Sequence, residues 1–125
     1  MEICDVLVVD DSKEITKLYE ELLRRTPFSF EIVNSGEDAI EIIKRVKFLV
    51  YILDINLGNS EFTGVDLAIK IRKIDKKAKL FAVTGNAFVF DKFDPKIAGF
   101  NKVFKKPFWY NDIMNVLTKA LENKP

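Results

Sequence analysis

Short apolar runs alternate along the chain with longer segments in which apolar side chains return every three or four positions. The runs are Ile3–Val9, Phe30–Val33, Phe48–Leu53, Leu80–Val83 and Lys102–Phe104. Runs this short and this continuous are expected of strands covered on both faces. Between them, Ile15, Leu18, Tyr19, Leu22 and Leu23 fall at i, i+3, i+4, i+7 and i+8, and Ile113, Val116, Leu117, Ala120 and Leu121 repeat that spacing. Such spacing predicts helices with one buried stripe. Ser35-Gly36-Glu37-Asp38 reads as a helix start, with a hydroxyl at the N-cap and acids in the first turn. Ala39, Ile40, Ile43 and Val46 would supply its apolar face, and a third helix is predicted over Val65–Ile74. The stretch from Asn86 to Gly99 is the least regular. Phe88, Val89, Phe90 and Phe93 are apolar, but Asp94-Pro95 interrupts them, and proline disfavours helix at itself and at the residue before it. A short, broken or displaced fourth helix is expected there. Strand–helix alternation of this kind implies a parallel sheet with helices on both faces, built from five βα units.

Composition sharpens this picture in a few places. The 125 residues suit one domain, with no internal repeat, low-complexity stretch or linker to divide them. Hydrophobic residues at 48% and charged residues at 31% exclude a disordered chain. Lys plus Arg total 20 against 19 for Asp plus Glu, so the net charge of +1 gives no reason to expect a nucleic-acid or membrane surface. The start, Met1-Glu2-Ile3-Cys4-Asp5, lacks the basic and long apolar regions of a signal peptide, and no apolar run approaches the roughly 18 residues of a membrane span. Cys4 is the one cysteine, which excludes an internal disulfide and suits a reducing compartment. A cytoplasmic protein is the expectation. The absence of histidine is more informative. It removes Ser-His-Asp and Cys-His catalysis and any histidine-ligated metal, so a metal here would be held by oxygen, as Mg²⁺, Ca²⁺ or Mn²⁺ are.

The polar residues that carry chemistry stand where the apolar runs stop. Asp10-Asp11 follows the first run, Asp54 closes the third, Thr84 closes the fourth, and Lys105-Lys106-Pro107 follows the fifth. In a doubly wound parallel sheet these ends share one edge, where ligands bind at the topological switch point. Carboxylates gathered there repel one another, and a divalent cation relieves the repulsion. Mg²⁺ suits such a site because it takes one or two carboxylates and keeps several waters. Lys106 and Thr84 would complement a bound anion such as phosphoryl, and a carboxylate beside them can act as a nucleophile toward phosphorus. Taken singly, each residue has a plainer reading. Asp11 fits a capping box in Asp11-Ser12-Lys13-Glu14, Asp54 could form a turn, Thr84 is an ordinary strand residue, and Lys105 and Lys106 could be solvated charges.

Taken together, Asp10-Asp11, Asp54, Thr84-Gly85 and Lys106-Pro107-Phe108 resemble the response-regulator receiver family, typified by the single-domain chemotaxis regulator, over essentially the whole chain. The resemblance implies a flavodoxin-like α/β fold with strand order 2-1-3-4-5. It implies Asp54 as phosphoacceptor, and Asp10 and Asp11 as the acidic pair that holds Mg²⁺, with Asp11 the direct ligand. The backbone carbonyl of Asn56 would reach the same ion. Thr84 and Lys106 would bind phosphoryl oxygens, Lys106–Pro107 would be cis, and Asn86 would govern access of water. A histidine kinase or histidine phosphotransfer protein would supply the group in trans, and output would run through a protein partner or a homodimer.

The chain also departs from the family pattern. Gly58 stands where proline is usual, and Gly58–Thr63 is about two residues longer than the commonest form. Val103 replaces the usual switch aromatic, and Phe104 beside it should face the other side of its strand. Phe108-Trp109-Tyr110 is a candidate partner surface. Two rival readings follow. A phosphorylation-independent docking module would fit Val103, and a haloacid-dehalogenase-like phosphatase would need a second Asp where Asn56 stands.

Overall fold

The computed structural model describes residues 2–58, 60–85, 95–106 and 110–122. Five strands form one parallel sheet: β1 (Glu2–Val9), β2 (Phe30–Val33), β3 (Val46–Asp54), β4 (Lys79–Thr84) and β5 (Lys102–Lys105), in the order β2-β1-β3-β4-β5. The helices are α1 (Lys13–Arg24), α2 (Gly36–Ile43), α3 (Gly64–Ile74) and α4 (Tyr110–Leu121), with a 3₁₀ turn at Pro95–Ala98. Fold class and strand order are those expected.

Alternation along the central strands divides the core in two. Val6 and Val8 of β1 and Val50 and Ile52 of β3 face one side, where they meet Tyr19 and Leu23 of α1 and Ile113, Leu117 and Leu121 of α4. Leu7, Val9, Tyr51 and Leu53 face the other, against Ala39 and Ile42 of α2 and Leu67, Ala68 and Ile71 of α3. Both faces are thus dry, which is why β1 and β3 read as unbroken apolar runs. Each fully buried Leu, Ile or Val contributes about 1.5–3 kcal/mol over leaving it exposed. Phe104 packs on the α1–α4 side and Val103 on the other, as the strand's period of two requires.

Element boundaries depart from expectation in three instructive places. Ser12, not Asp11, caps α1, its Oγ accepting the Ile15 N–H at 3.3 Å. Asp11 is exposed and free of that duty. Val46, expected on the α2 face, is instead the first residue of β3 and pairs with Glu2. Lys44-Arg45 turns the chain after Ile43, and the exposed Lys47 had hidden this early start of the strand. Ser35 caps α2 as expected (Asp38 N to Ser35 Oγ, 3.1 Å). Thr63 and Asp66 form a reciprocal capping box that starts α3 one residue earlier than predicted. Of the irregular Asn86–Gly99 stretch, residues 86–94 lie outside the described residues, and Pro95–Ala98 forms the 3₁₀ turn.

Arg72, on α3, ties together the edge of the sheet where the strands begin. Its Nη1 donates to the carbonyls of Lys76 (2.9 Å) and Ala78 (2.7 Å), and its Nη2 donates to the Gly99 carbonyl (2.5 Å) and Asn101 Oδ1 (3.2 Å). Gly99 has φ +96°, and an added Cβ would stand 2.9 Å from Arg72 Nε, so close approach and backbone conformation both select glycine there.

Candidate functional site

β1, β3, β4 and β5 deliver Asp10, Asp54, Thr84 and Lys106 to one edge because each lies at or just beyond the C-terminal end of its strand. Burial sorts them: Asp10 is 2% exposed, Thr84 3% and Asp54 4%, while Asp11 is exposed and Lys106 half-buried. One carboxylate oxygen from each of Asp10, Asp11 and Asp54 lies within 4.8 Å of the others. Lys106 Nζ donates to Asp54 Oδ2 at 3.2 Å and stands 3.9 Å from Asp10 Oδ2. The Lys106 backbone N–H donates to the Thr84 carbonyl at 2.7 Å, which fixes the start of the β5 connection against β4.

Local backbone holds each carboxylate. Asp10 Oδ1 accepts the Ser12 N–H at 2.9 Å, and Asn34 Nδ2 donates to the Asp10 carbonyl at 3.1 Å. Asp54 Oδ1 accepts the Asn56 N–H at 3.1 Å, and Asn56 Oδ1 in turn accepts the Gly58 N–H at 3.1 Å. α3 begins directly against the end of β3. A Cβ on Gly64 would stand 2.3 Å from the Asp54 carbonyl oxygen, so only glycine allows that approach.

Burial of like charges shows in the titration of the pair. Desolvation pushes Asp10 up from 3.8 to about 6, with Asp54 adding to the rise, while the Ser12 N–H and Lys106 oppose it. Asp54 is also raised, again chiefly by desolvation, and Lys106 offsets part of the effect. Both carboxylates would therefore gain from a cation.

The oxygens open on a cavity of about 510 Å³ whose lining includes Asp11, Asp54, Asn56, Thr84 and Lys106. A larger cleft, about 590 Å³, opens at the opposite end of the strands among Arg72, Lys76, Lys77, Lys79 and Lys96. It contains none of the converging carboxylates, and we place the chemistry in the smaller one. Asp10, Asp11, Asp54, Asn56, Thr84 and Lys106 are thus all brought together. Asn86, Pro107, Phe108 and Trp109 lie outside the described residues. Tyr110 is half-buried, its ring set edge-on to Tyr19 at 5.7 Å, so that member of the proposed aromatic surface is partly committed to packing.

Two contacts were not anticipated. Gly58, at φ +60°, lies so close to Asp11 that an added Cβ would stand 2.5 Å from Asp11 Oδ2. Ser60 Oγ hydrogen-bonds Glu37 Oε1 and accepts the Gly36 N–H at 3.2 Å and the Phe62 N–H at 3.2 Å, joining the loop after Asp54 to the start of α2. The glycine in a proline position and the extra length of Gly58–Thr63 were the signals in the sequence that pointed to this loop.

Comparison with known proteins agrees with the geometry. Residues 6–118 match the response regulator receiver domain family, and the chain belongs to that family. Transcription factor SKN7 of Saccharomyces cerevisiae is 25% identical over 95% of this chain, which spans 19% of that protein. The response regulator receiver protein CpdR of Brucella abortus is 26% identical over 93% of this chain and 95% of its own length. The chain spans about a fifth of the length of the first curated relatives it matches. Among solved structures, a CheY-like receiver domain protein from Methanospirillum hungatei superposes with a TM-score of 0.84 (23% identity; 98% of this chain, 94% of that one). The response regulator TrrA of Thermotoga maritima, solved in complex with Mg²⁺-BeF, gives 0.80 at 26% identity over 97% of this chain and 100% of that one. Receiver domains are the phosphoacceptors of two-component signalling, work with histidine kinases and phosphotransfer proteins, and bind Mg²⁺ at an acidic cluster. No helix among the described residues is long and apolar enough to cross a membrane.

Proposed function

We propose that this chain takes a phosphoryl group on Asp54 in a Mg²⁺-dependent reaction and signals through the resulting change of charge. The observation that carries the reading is the convergence of three carboxylates within 4.8 Å, one of them held at 3.2 Å by Lys106. Ligands of an octahedral Mg²⁺ at about 2.0–2.1 Å stand roughly 3 to 4 Å apart, so a small inward turn of these side chains would bring their oxygens onto one ion. Asp11 and Asp10, with Asp54 and the Asn56 carbonyl, would hold it. The ion supplies charge neutralisation for the incoming phosphoryl oxygens.

The other steps fall to the chain's own groups. An Asp54 oxygen forms the bond to phosphorus as the bond from phosphorus to the donor's imidazole nitrogen breaks, the electron pair leaving with that nitrogen. Lys106, a point charge with three donors, would swing from the Asp54 carboxylate to a phosphoryl oxygen. Thr84, at the end of β4, would bond another. These 125 residues hold no histidine, so the donor would be a histidine kinase or phosphotransfer protein outside them, or a small phosphodonor. Hydrolysis of the aspartyl phosphate at this same site would reset it, and a protein partner or second copy would read the change. The phosphatase alternative lacks its acid: Asn56 stands where a proton donor is needed, and its side-chain oxygen is occupied by the Gly58 N–H.

Intact-mass spectrometry after incubation with acetyl phosphate or phosphoramidate, with and without Mg²⁺, tests the proposal. One phosphoryl adduct that needs Mg²⁺ and vanishes in Asp54→Asn is the expected result. A folded protein that neither gains an adduct nor binds Mg²⁺ would mark it as a phosphorylation-independent docking module.

A further inference from the structure

We infer that Gly58 is a positioning residue for the cation site, acting through Asp11. The inference rests on the reading of Asp11 as a ligand given above. Of the three converging carboxylates, Asp10 and Asp54 are buried and each accepts a backbone N–H. Asp11 is exposed, and the N-cap role that would have fixed it belongs to Ser12. The Gly58 backbone is what lies against its carboxylate, with the site of a Cβ only 2.5 Å from Asp11 Oδ2 and 3.5 Å from Cγ. At this chain's φ of +60°, which the proline usual in the family cannot adopt, a side chain would occupy the space that Asp11 takes when it turns toward Asp10 and Asp54.

Gly58 is itself held in place. Its N–H is tied to Asn56 Oδ1, and Asn56 is tied to Asp54, so the acceptor and the residue that shapes Asp11 share one hydrogen-bonded turn. Beyond it, Ser60 fastens the same loop to the start of α2 through Glu37 and the Gly36 N–H. The atom that a new Cβ would strike is the end of a rotatable side chain. A substitution therefore need not disturb the fold, because Asp11 can swing out. The cost falls on cation affinity.

Isothermal titration calorimetry with MgCl₂ on the full chain, Gly58→Ala, Gly58→Asn, Asp11→Ala and the double variant Asp11→Ala/Gly58→Ala tests this, with far-UV circular dichroism and melting curves as the fold control. Asn tolerates positive φ far better than Ala, so it separates the effect of the Cβ from backbone strain. Both glycine variants should bind Mg²⁺ about 10-fold or more weakly, the range seen when groups that orient metal ligands are lost. In the Asp11→Ala background the Gly58→Ala change should cost nothing further. Parent-like affinity in either glycine variant, or a full additional loss in the double variant, would overturn the inference. A parent chain that binds no Mg²⁺ would instead overturn the underlying reading of the site.

Discussion

The two ends of the sheet gather charge in opposite ways. At the C-terminal end, two buried carboxylates share one half-buried ammonium, Lys106, and a third carboxylate, Asp11, lies beside them at the surface. At the N-terminal end, Arg72 spreads one guanidinium over the carbonyls of Lys76, Ala78 and Gly99 and the side chain of Asn101. The first arrangement leaves charge in want of a partner, and burial raises both Asp10 and Asp54 above the ordinary carboxylate range. The second leaves little unsatisfied and locks α3, β4 and the β4–β5 connection together. On the proposed function, one end is kept electrostatically incomplete for a cation and a phosphoryl group, while the other carries stability.

The largest test breaks the satisfied end. Arg72→Met should cost about 2–4 kcal/mol, because it strands several half-buried acceptors at once. Urea denaturation would read the loss, while calorimetric Mg²⁺ affinity should stay that of the parent. If affinity fell with stability, the two ends would not be independent.

Next is completion of the incomplete end. Mg²⁺ at 100 times its dissociation constant should stabilise the folded chain by about 2.7 kcal/mol. Arg72→Met should show the same gain and Asp11→Ala a much smaller one, measured by denaturation with and without the ion.

Proton binding tests the same deficit without metal. Asp10 is raised in the folded state from 3.8 to about 6, so the folded chain holds that proton more tightly than the unfolded chain. Its contribution to stability is therefore full below about 4 and is lost as pH rises through 6. Metal-free Asp10→Asn should show a flatter stability profile between pH 4 and 7 than the parent, and Mg²⁺ affinity of the parent should weaken as pH falls below 6.

The smallest effect is expected of Asp54→Asn on the metal-free protein. Removing one charge from a site that desolvation and Asp11 already disfavour should raise stability by about 1 kcal/mol despite the lost Lys106 pair. A fall in stability by the same assay would mean that the ion pair outweighs desolvation.

The sequence was informative about these two ends to very different degrees. Strand ends can be read because an apolar run stops at a visible residue, so Asp10, Asp54, Thr84 and Lys106 were legible once the topology was. The role of Arg72 was not, since its acceptors are mostly carbonyls, which have no sequence signature, and Asn101 lies 29 positions away. Val46 was misplaced because one exposed lysine, Lys47, interrupted the strand pattern and helical spacing claimed the valine. Asp11, with Glu14 three positions on, fitted a capping box better than Ser12, which has Ile15 there, so the sequence pattern pointed to the wrong one of two neighbouring caps. The Gly58 contact could not be found from spacing, since it joins two loops from different strands.

The outer strands bear on a matter apart from signalling. β2 and β5 have four residues each, against eight in β1 and nine in β3. β5 begins and ends on exposed lysines, Lys102 and Lys105, and the middle of β2 carries the exposed Glu31. A long, flat, uncharged margin would template a neighbouring copy backbone to backbone, and short charged margins resist that. Both margins of the sheet thus carry a built-in guard against edge-to-edge fusion with the sheet of another copy.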